Sequence, residues 1–458
     1  MYTPPRPKSL PAVAALVRAA FRSDGDLLSL MPANAYRMPV GPLGFSRRSI
    51  LIVNAPELTR TILTDPTNIY PKNDLMVGAL QPLVGDSMFV SSGERWRRQR
   101  QMVDPAFSHM RINSAFVSMA AAVDDYEMHL DELAERKETF SLDLAMSHLT
   151  ADIITRTVFS TSLKSQTAHD VFQSFTEFER SVAHVEIKRL ILDPPWANIP
   201  HHQHVLEACD RIRRHLGDLV DRHLAVKPET SNDIASAIIA ARDDVTGEGF
   251  TREELIDNLG VFFLAGHETT ASVLIWIFFI LATQPDVLQR MRAEIAAVVG
   301  DGSVEFEHTK KLNYTRNVFR EALRLYPPIT FIPRVAAENT IIGDYKVKKG
   351  AMIMIAPWVI HRHESYWRNP NAFDPDRFNP EREGELTPGC YMPFGLGQRV
   401  CVGAAFATIE SALILARLVR RFDFQVLAPE RVRPVARLTT RPAEQILCRV
   451  RRRSSQRA

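Results

Sequence analysis

Cysteine is scarce in this chain. The 458 residues hold four, Cys209, Cys390, Cys401 and Cys448, far apart and without a CxxC pair. A chain of this length does not need disulfide staples, so a reducing, cytoplasmic setting is expected. An excess of charge is also missing. Lys and Arg number 56 against 53 Asp and Glu, and the formal +3 is too small to argue for nucleic acid as a partner. The one basic cluster, Arg449, Arg451, Arg452, Arg453 and Arg457, reads as a solvated, frayed tail. No period of about 20 to 50 residues repeats and no low-complexity linker divides the chain, which excludes solenoids and strings of modules. Residues 1–458 are read as a single domain. No secretory leader is expected, because the short apolar stretch from Ala12 to Val17 is ended by Arg18.

What is there is an ordinary globular composition, 45% hydrophobic and 24% charged, enough for a large core. Strand-like pieces lie at Ser49–Val53, Thr340–Ile342, Tyr345–Val347 and Ala351–Ala356, each bounded by Gly, Asp, Asn or Pro. They place a β-rich part at about 35–65 and 340–380, and leave a helical body at about 90–330 and 400–422. The longest apolar segment, Leu259 to Ala282, is long enough to cross a membrane. Its centre, His267-Glu268-Thr269-Thr270, argues against that, since a charge in mid-bilayer costs about 2.5 to 3.5 kcal/mol on insertion scales. A helix buried in protein is expected, with no transmembrane segment. Thr251 and Glu254 have capping-box spacing at its start and Pro285 follows its end, so it should run for roughly 30 residues. A second helix should begin near Pro285 and stop at Gly300, and a third should span Tyr314 to Tyr326.

Chemistry concentrates in Pro393-Phe394-Gly395-Leu396-Gly397-Gln398-Arg399-Val400-Cys401-Val402-Gly403, a Gly-rich loop running into the apolar helical pattern Ala404 to Leu418. Cys401 thus sits at a helix N-terminus, where free N–H groups and the dipole favour a thiolate and a lowered thiol pKa. By residue type alone, Cys401 could equally be a buried structural cysteine or a nucleophile. The spacing changes this: Phe394, Gly397, Arg399, Cys401 and Gly403 match FxxGxRxCxG, and on that signature the chain resembles the cytochrome P450 family. The resemblance implies a mainly α fold with small β-sheets, a triangular helical body around a buried haem b and a long central helix. Cys401 would be the iron ligand, with Phe394 and Gly403 lining the haem.

Three further segments match in the expected order. Ala265-Gly266-His267-Glu268-Thr269-Thr270 is similar to the family's oxygen-activation motif. There Gly266 and a back-bonding threonine would distort the helix, and the acid–alcohol pair Glu268 and Thr269 would carry protons into a dry site. Glu321 and Arg324 match ExxR, and the resemblance joins them to Arg377 as a structural lock. Trp96 and Arg100 match WxxxR, and with Arg334 and Arg399 they would hold the haem propionates. His361, Arg362 and Trp367 also look familiar and are left outside the site.

By the same resemblance, Met76, Leu80, Leu83, Met88, Phe89, Phe262, Ala265, Ile329, Phe331 and Leu438 would line an apolar substrate cavity, although each could be ordinary core. The stretch Leu190 to Val205, with Trp196, His201, His202 and His204, reads as a mobile access loop rather than a metal site. No flavin or nicotinamide fingerprint or appended reductase is visible. Electrons are therefore expected from a ferredoxin or flavodoxin with its reductase, docking on the basic face of Arg97 and Arg98. The expected activity is a monooxygenase inserting one atom of O2 into a terpenoid, steroid-like or fatty-acyl molecule. A peroxide-driven or rearranging enzyme and a non-catalytic haem or ligand sensor are the other readings.

Overall fold

The longest apolar stretch sets the architecture. The computed structural model describes residues 2–8, 26–43, 49–164, 201–225 and 233–453, with scattered positions among 10–15 and 166–178. Helix α8 spans Arg252–Thr283. It starts at the expected capping box: Thr251 Oγ1 accepts from the Glu254 N–H (3.2 Å) and Glu254 Oε2 accepts from the Thr251 N–H (3.0 Å). Its most apolar stretch is 83% buried inside the protein, so its hydropathy is that of a core helix. Helix α9 (Pro285–Val299) starts on its proline and closes at Gly300 with φ +63°. Helix α11 (Asn313–Leu325) ends as Pro327 and Pro328 approach.

Among the described residues nine other helices have six or more residues, and most of them pack against α8. They are α1 (Pro56–Leu63), α2 (Asp74–Val84), α3 (Gly93–Val103), α4 (His109–Arg136), α5 (Leu142–Phe159), α6 (Gln203–Ala225), α7 (Ile234–Ala240), α10 (Phe306–Lys311) and α12 (Ala404–Arg421). Gly266 has a packing role: a Cβ there would stand 2.5 Å from Ile154 Cδ1 on α5. Helix α8 runs unbroken past it, so the distortion expected around Gly266 does not interrupt the helix.

The strands make small sheets. β1 (Val40–Pro42), β2 (Leu51–Val53), β7 (Met352–Ile355) and β4 (Ile332–Val335) form one sheet in the order β1-β2-β7-β4. Its one parallel pair aligns Ile52 with Met354, and β7 is buried throughout, as its uninterrupted apolar sequence requires. β5 (Thr340–Ile342) and β6 (Tyr345–Val347), both expected as strands, pair antiparallel. β3 (Phe140–Ser141), β11 (Leu447–Arg452) and β8 (Phe422–Val426) form a third sheet, and β9 (Pro434–Ala436) pairs with β10 (Thr440–Pro442). The expectation of a frayed basic tail is corrected here. Arg449, Arg451 and Arg452 lie in β11, Arg452 Nε bonds Asp131 at 2.7 Å, and Arg453 Nη1 donates to the Arg420 carbonyl. Alternating strand geometry puts Cys448 and Val450 inside and the arginines outside, which an arginine-rich composition hides. Arg457, and Leu190 to Pro200 of the expected access loop, lie outside the described residues.

Candidate active site

The cysteine loop is held from both ends. The Cys401 N–H donates to the Phe394 carbonyl at 2.9 Å, and Val400 N–H to the Gly397 carbonyl at 3.1 Å. Gly397 is required on two counts: its φ is +73°, and a Cβ would lie 2.5 Å from the Leu63 carbonyl oxygen at the end of α1. Arg100 Nη1 donates to the Val400 carbonyl at 2.7 Å, clamping the loop from α3. The Cys401 side chain is exposed, whereas Cys209, Cys390 and Cys448 are buried. Cys401 lies two residues before Gly403, the N-cap of α12, and the expected lowering of its thiol pKa is not found. Although open on one side, Cys401 lies deep among protein atoms, and that desolvation pushes the thiol up, with the Gly403 N–H and the Arg100 charge offsetting it only in part. Ionisation of the sulfur would then come from a bound metal cation rather than from the helix end.

The lock behind the loop is fully buried. Arg324 grips Glu321 in a two-pronged pair, with Nε to Oε2 and Nη2 to Oε1 both 2.7 Å. Arg377 Nε reaches Glu321 Oε1 at 3.4 Å. The remaining Arg324 donors hold the carbonyls of His361 (2.7 Å), Pro370 (2.6 Å) and Ala372 (2.9 Å). The His361 ring, kept neutral by a pKa pushed down to about 3 through burial and then the Arg324 charge, accepts the Met392 N–H at 3.0 Å. Met392 opens the cysteine loop, so the lock is wired to the loop through His361, a residue the sequence reading left outside the site.

A knot of cations marks one edge of the site. Arg399 lies over the Trp96 ring at 4.3 Å and gives Nη2 to the Ser91 carbonyl at 3.0 Å, while its buried Nη1 has no partner. Arg334 is buried, with Nη1 on the Pro333 carbonyl at 3.0 Å. Lys72 pairs with Arg334 through an isolated β-bridge and lies 4.9 Å from the Phe89 ring centroid. Burial, then mutual repulsion, pushes Lys72 well down and Arg399 down to about 10; burial alone brings Arg334 to about 10. Arg100 is engaged otherwise, with Nε on Asp104 at 2.6 Å. Like charges gathered out of water with a stranded donor call for an anion. A flat ligand carrying carboxylates at this edge and a metal in front of Cys401 fits these residues, and the implied haem meets that description. Lys72 was missed in sequence because the bridge to Arg334 crosses most of the chain.

Midway along its length, α8 is accessible around Ala265. Ala265 is exposed and Gly266 and Thr269 are partly so, while His267, Glu268 and Thr270 are buried. Thr269 Oγ1 donates to the Ala265 carbonyl one turn back at 2.6 Å. Glu268 is committed elsewhere: Oε1 accepts from Thr439 Oγ1 (2.6 Å) and Arg441 Nε (3.0 Å), and Oε2 pairs with Arg441 Nη2. Burial alone would raise its pKa, but Arg441 outweighs it and holds Glu268 below the usual carboxylate value. The expected acid–alcohol pair is therefore split, with the alcohol partly exposed and bonded back to Ala265 and the acid ionised in an ion pair.

The other expected residues divide. Ala265 and Ile329 are exposed and Met76, Phe89, Phe331 and Leu438 half-buried, whereas Leu80, Leu83, Met88 and Phe262 are buried. Leu83 is 1% exposed and the Phe262 ring lies tilted against Phe107 with centroids 5.2 Å apart, as core residues do. The expected docking pair also divides. Arg97 is exposed beside Glu94, but Arg98 binds Glu254 Oε1 (2.7 Å) and the Gly249 carbonyl (2.8 Å), tying α3 to the start of α8. Arg98 is therefore structural. Among the described residues, His201, His202 and His204 form no group fit to hold a metal.

A family model described as Cytochrome P450 matches residues 4–449. Protein LUTEIN DEFICIENT 5, chloroplastic, of Arabidopsis thaliana is 32% identical over 448 residues, covering 92% of this chain and 72% of that protein. Cyclooctat-9-en-7-ol 5-monooxygenase of Streptomyces melanosporofaciens is 32% identical over 425 residues, covering 91% and 87%. The crystal structure of a cytochrome P450, CYP102L1, matches with a TM-score of 0.82 at 25% identity, covering 98% of this chain and 99% of that one.

Proposed function

The chain belongs to the cytochrome P450 family and is a P450 monooxygenase, and from that premise we propose how its residues divide the work. Cys401 would hold the haem iron through its thiolate. Lys72, Arg334 and Arg399, with Trp96 beneath Arg399, hold the propionates of a haem b. When bound, the haem would supply the oxygen activation. Thr269 directs protons at the open stretch of α8, and Glu321, Arg324 and Arg377 keep the cysteine loop in register. The observation that carries this reading is the knot of Lys72, Arg334 and Arg399, with Arg399 Nη1 left without a partner, beside a loop that presents an exposed Cys401.

The substrate is an apolar molecule held by Met76, Phe89, Ala265, Ile329, Phe331 and Leu438, a lining with few fixed polar anchors. Among terpenoid, steroid-like and fatty-acyl molecules, a terpenoid is favoured by the likeness to a monooxygenase named for a cyclic alkenol. Electrons come from an external ferredoxin or flavodoxin with its reductase, and three buried, unpaired cysteines suit a cytoplasmic protein. The test is a turnover screen of apolar compounds that shift the haem spin state, with surrogate ferredoxin, reductase and O2. Product carrying one atom of labelled O2 supports the proposal. Product with peroxide alone would replace it by the peroxide-driven reading, and a ligand response without turnover by the sensor.

A further inference from the structure

One cation has no part in the roles assigned above. Arg437 lies in the turn between β9 and β10. Its backbone N–H donates to the Thr439 carbonyl at 3.0 Å, which closes the turn with Leu438 at the tip. Arg437 is half-buried, and its side chain has no hydrogen-bond or ion-pair partner among the described residues. The Nε donor is shut away from water as well. A buried donor left in this way is costly until a ligand accepts from it. Its neighbour Arg441 differs, because it is committed to Glu268.

The register of the hairpin gives Arg437 its direction. Ala436 pairs with Thr440 and Val435 with Arg441, so Arg437 and Thr439 stand opposite each other. Opposed residues, and alternate residues along each strand, share one face of an antiparallel pair. That face is Val435, Arg437, Thr439 and Arg441. It meets α8 at Glu268, whose Oε1 accepts from Thr439 Oγ1 (2.6 Å) and Arg441 Nε (3.0 Å). Glu268 stands about one helical turn after the accessible Ala265. Thr440 fastens the hairpin to the chain that follows α11. Its N–H donates to the Pro328 carbonyl at 3.1 Å and its Oγ1 to the Pro327 carbonyl at 2.5 Å, directly before the exposed Ile329 and the half-buried Phe331. The turn therefore brings the Arg437 guanidinium to a group of apolar side chains, Ala265, Ile329, Phe331 and Leu438.

We propose that Arg437 is a specificity residue that receives a carboxylate of the substrate. The inference rests on the monooxygenase reading above and narrows its substrate to apolar acids, molecules with a hydrocarbon body and one carboxylate. A planar guanidinium presents its donors as a fixed fork that matches the two oxygens of a carboxylate. At the border of an apolar surface little water competes for that pair, which strengthens it. A purely apolar molecule would leave the Arg437 donors unsatisfied. Holding the substrate at its acidic end also fixes which of its carbons can react, so Arg437 sets the position of oxygen insertion as well as affinity.

The holoenzyme tests this by spin-shift titration with two acids and their methyl esters, dodecanoic acid with methyl dodecanoate and abietic acid with methyl abietate. In the wild type at least one acid should bind more tightly than its ester. Arg437→Met should weaken that acid about 10- to 100-fold, the worth of a hydrogen bond to a charged group, and leave the ester unchanged. Arg437→Lys should recover part of the affinity, since it keeps the charge and loses the fork. In turnover with O2 and surrogate electron donors, Arg437→Met should raise KM for the acid and spread oxygen over the carbons that react in the ester. Haem content, thermal unfolding and the thiolate signature of the carbon-monoxide complex should stay at wild-type values, because Arg437 has no partner within the chain to lose. Acids that bind no better than their esters, or a variant that weakens acid and ester alike, overturn this inference alone. Loss of haem from Arg437→Met also overturns it, by assigning the cation to a haem carboxylate. If an acid binds through Arg437 yet the wild type forms no product from any compound with O2 and reductant, the monooxygenase reading falls and Arg437 remains the anchor of a ligand rather than of a substrate.

Discussion

Replacing Arg334 by methionine should have opposite effects on the haem-free and haem-bound protein. Burial holds the Arg334 pKa down to about 10 from 12.5, and each pKa unit corresponds to roughly 1.4 kcal/mol. Because this base has a folded pKa below its unfolded value, the fold carries the penalty wherever the group is charged in both states, which includes the whole neutral range. The cost is about 3 kcal/mol. Methionine keeps the straight apolar stem and removes the charge, at the loss of one hydrogen bond to Pro333 worth roughly 1 kcal/mol. The haem-free variant should therefore be more stable than wild type by about 2 kcal/mol in denaturant unfolding. With haem bound, the variant lacks a charge-assisted bond to a carboxylate, worth about 1.5 to 3 kcal/mol, so haem should dissociate roughly 10- to 100-fold faster to an excess of an acceptor protein. A simple anion such as phosphate should stabilise the haem-free wild type more than the variant. If the substitution weakens both forms alike, Arg334 is packing and the cation knot is not built for an anion.

Arg324→Ala should prevent recovery of folded haem protein. It strands the fully buried Glu321 carboxylate, at about 3 to 5 kcal/mol, and uncaps three carbonyls besides; a normal expression level with an intact melting transition would refute the lock. Arg441→Met should reverse one pH dependence of stability. In the wild type, Glu268 has a lowered pKa, so its contribution is present above the unfolded carboxyl value and is lost as pH falls through the folded one. Without Arg441, burial dominates and raises that pKa, so the variant should lose stability as pH rises past the unfolded value, with a deficit of about 3 to 5 kcal/mol at neutral pH; parallel pH profiles in urea unfolding would contradict this. Charge reversal at Arg98 should cost about 2 kcal/mol of stability by breaking its bond to Glu254, whereas reversal at the exposed Arg97 should leave stability unchanged. Equal effects at the two positions would return Arg98 to the surface.

Much of this molecule is legible from short stretches of chain. The capping box of Thr251 and Glu254, the Pro285 start and Gly300 stop, and the strands β5 and β6 are set by local backbone chemistry, and the structure has them at the expected residues. The cysteine loop is equally local, since its glycines and its lead into α12 are contiguous. What stays hidden depends on contacts across the chain. Lys72 becomes a site residue only through its bridge to Arg334, Arg441 is paired with Glu268 across 173 positions, and Arg437 looks like any loop cation until the register of its hairpin turns it toward α8. The errors share that cause. A helix start does suggest a lowered thiol pKa for Cys401, but burial outweighs it. Arg98 sits in a basic run that looks solvated until Glu254 and Gly249 close over it.

The most direct test of the account is the absorption spectrum of the reduced, carbon-monoxide-bound haem protein. The wild type should show the red-shifted Soret band of thiolate ligation, and Cys401→Ala should lose that band even where haem is retained by the Lys72, Arg334 and Arg399 knot. A Cys401→Ala protein that keeps the red-shifted band would contradict the assignment of Cys401 as the iron ligand.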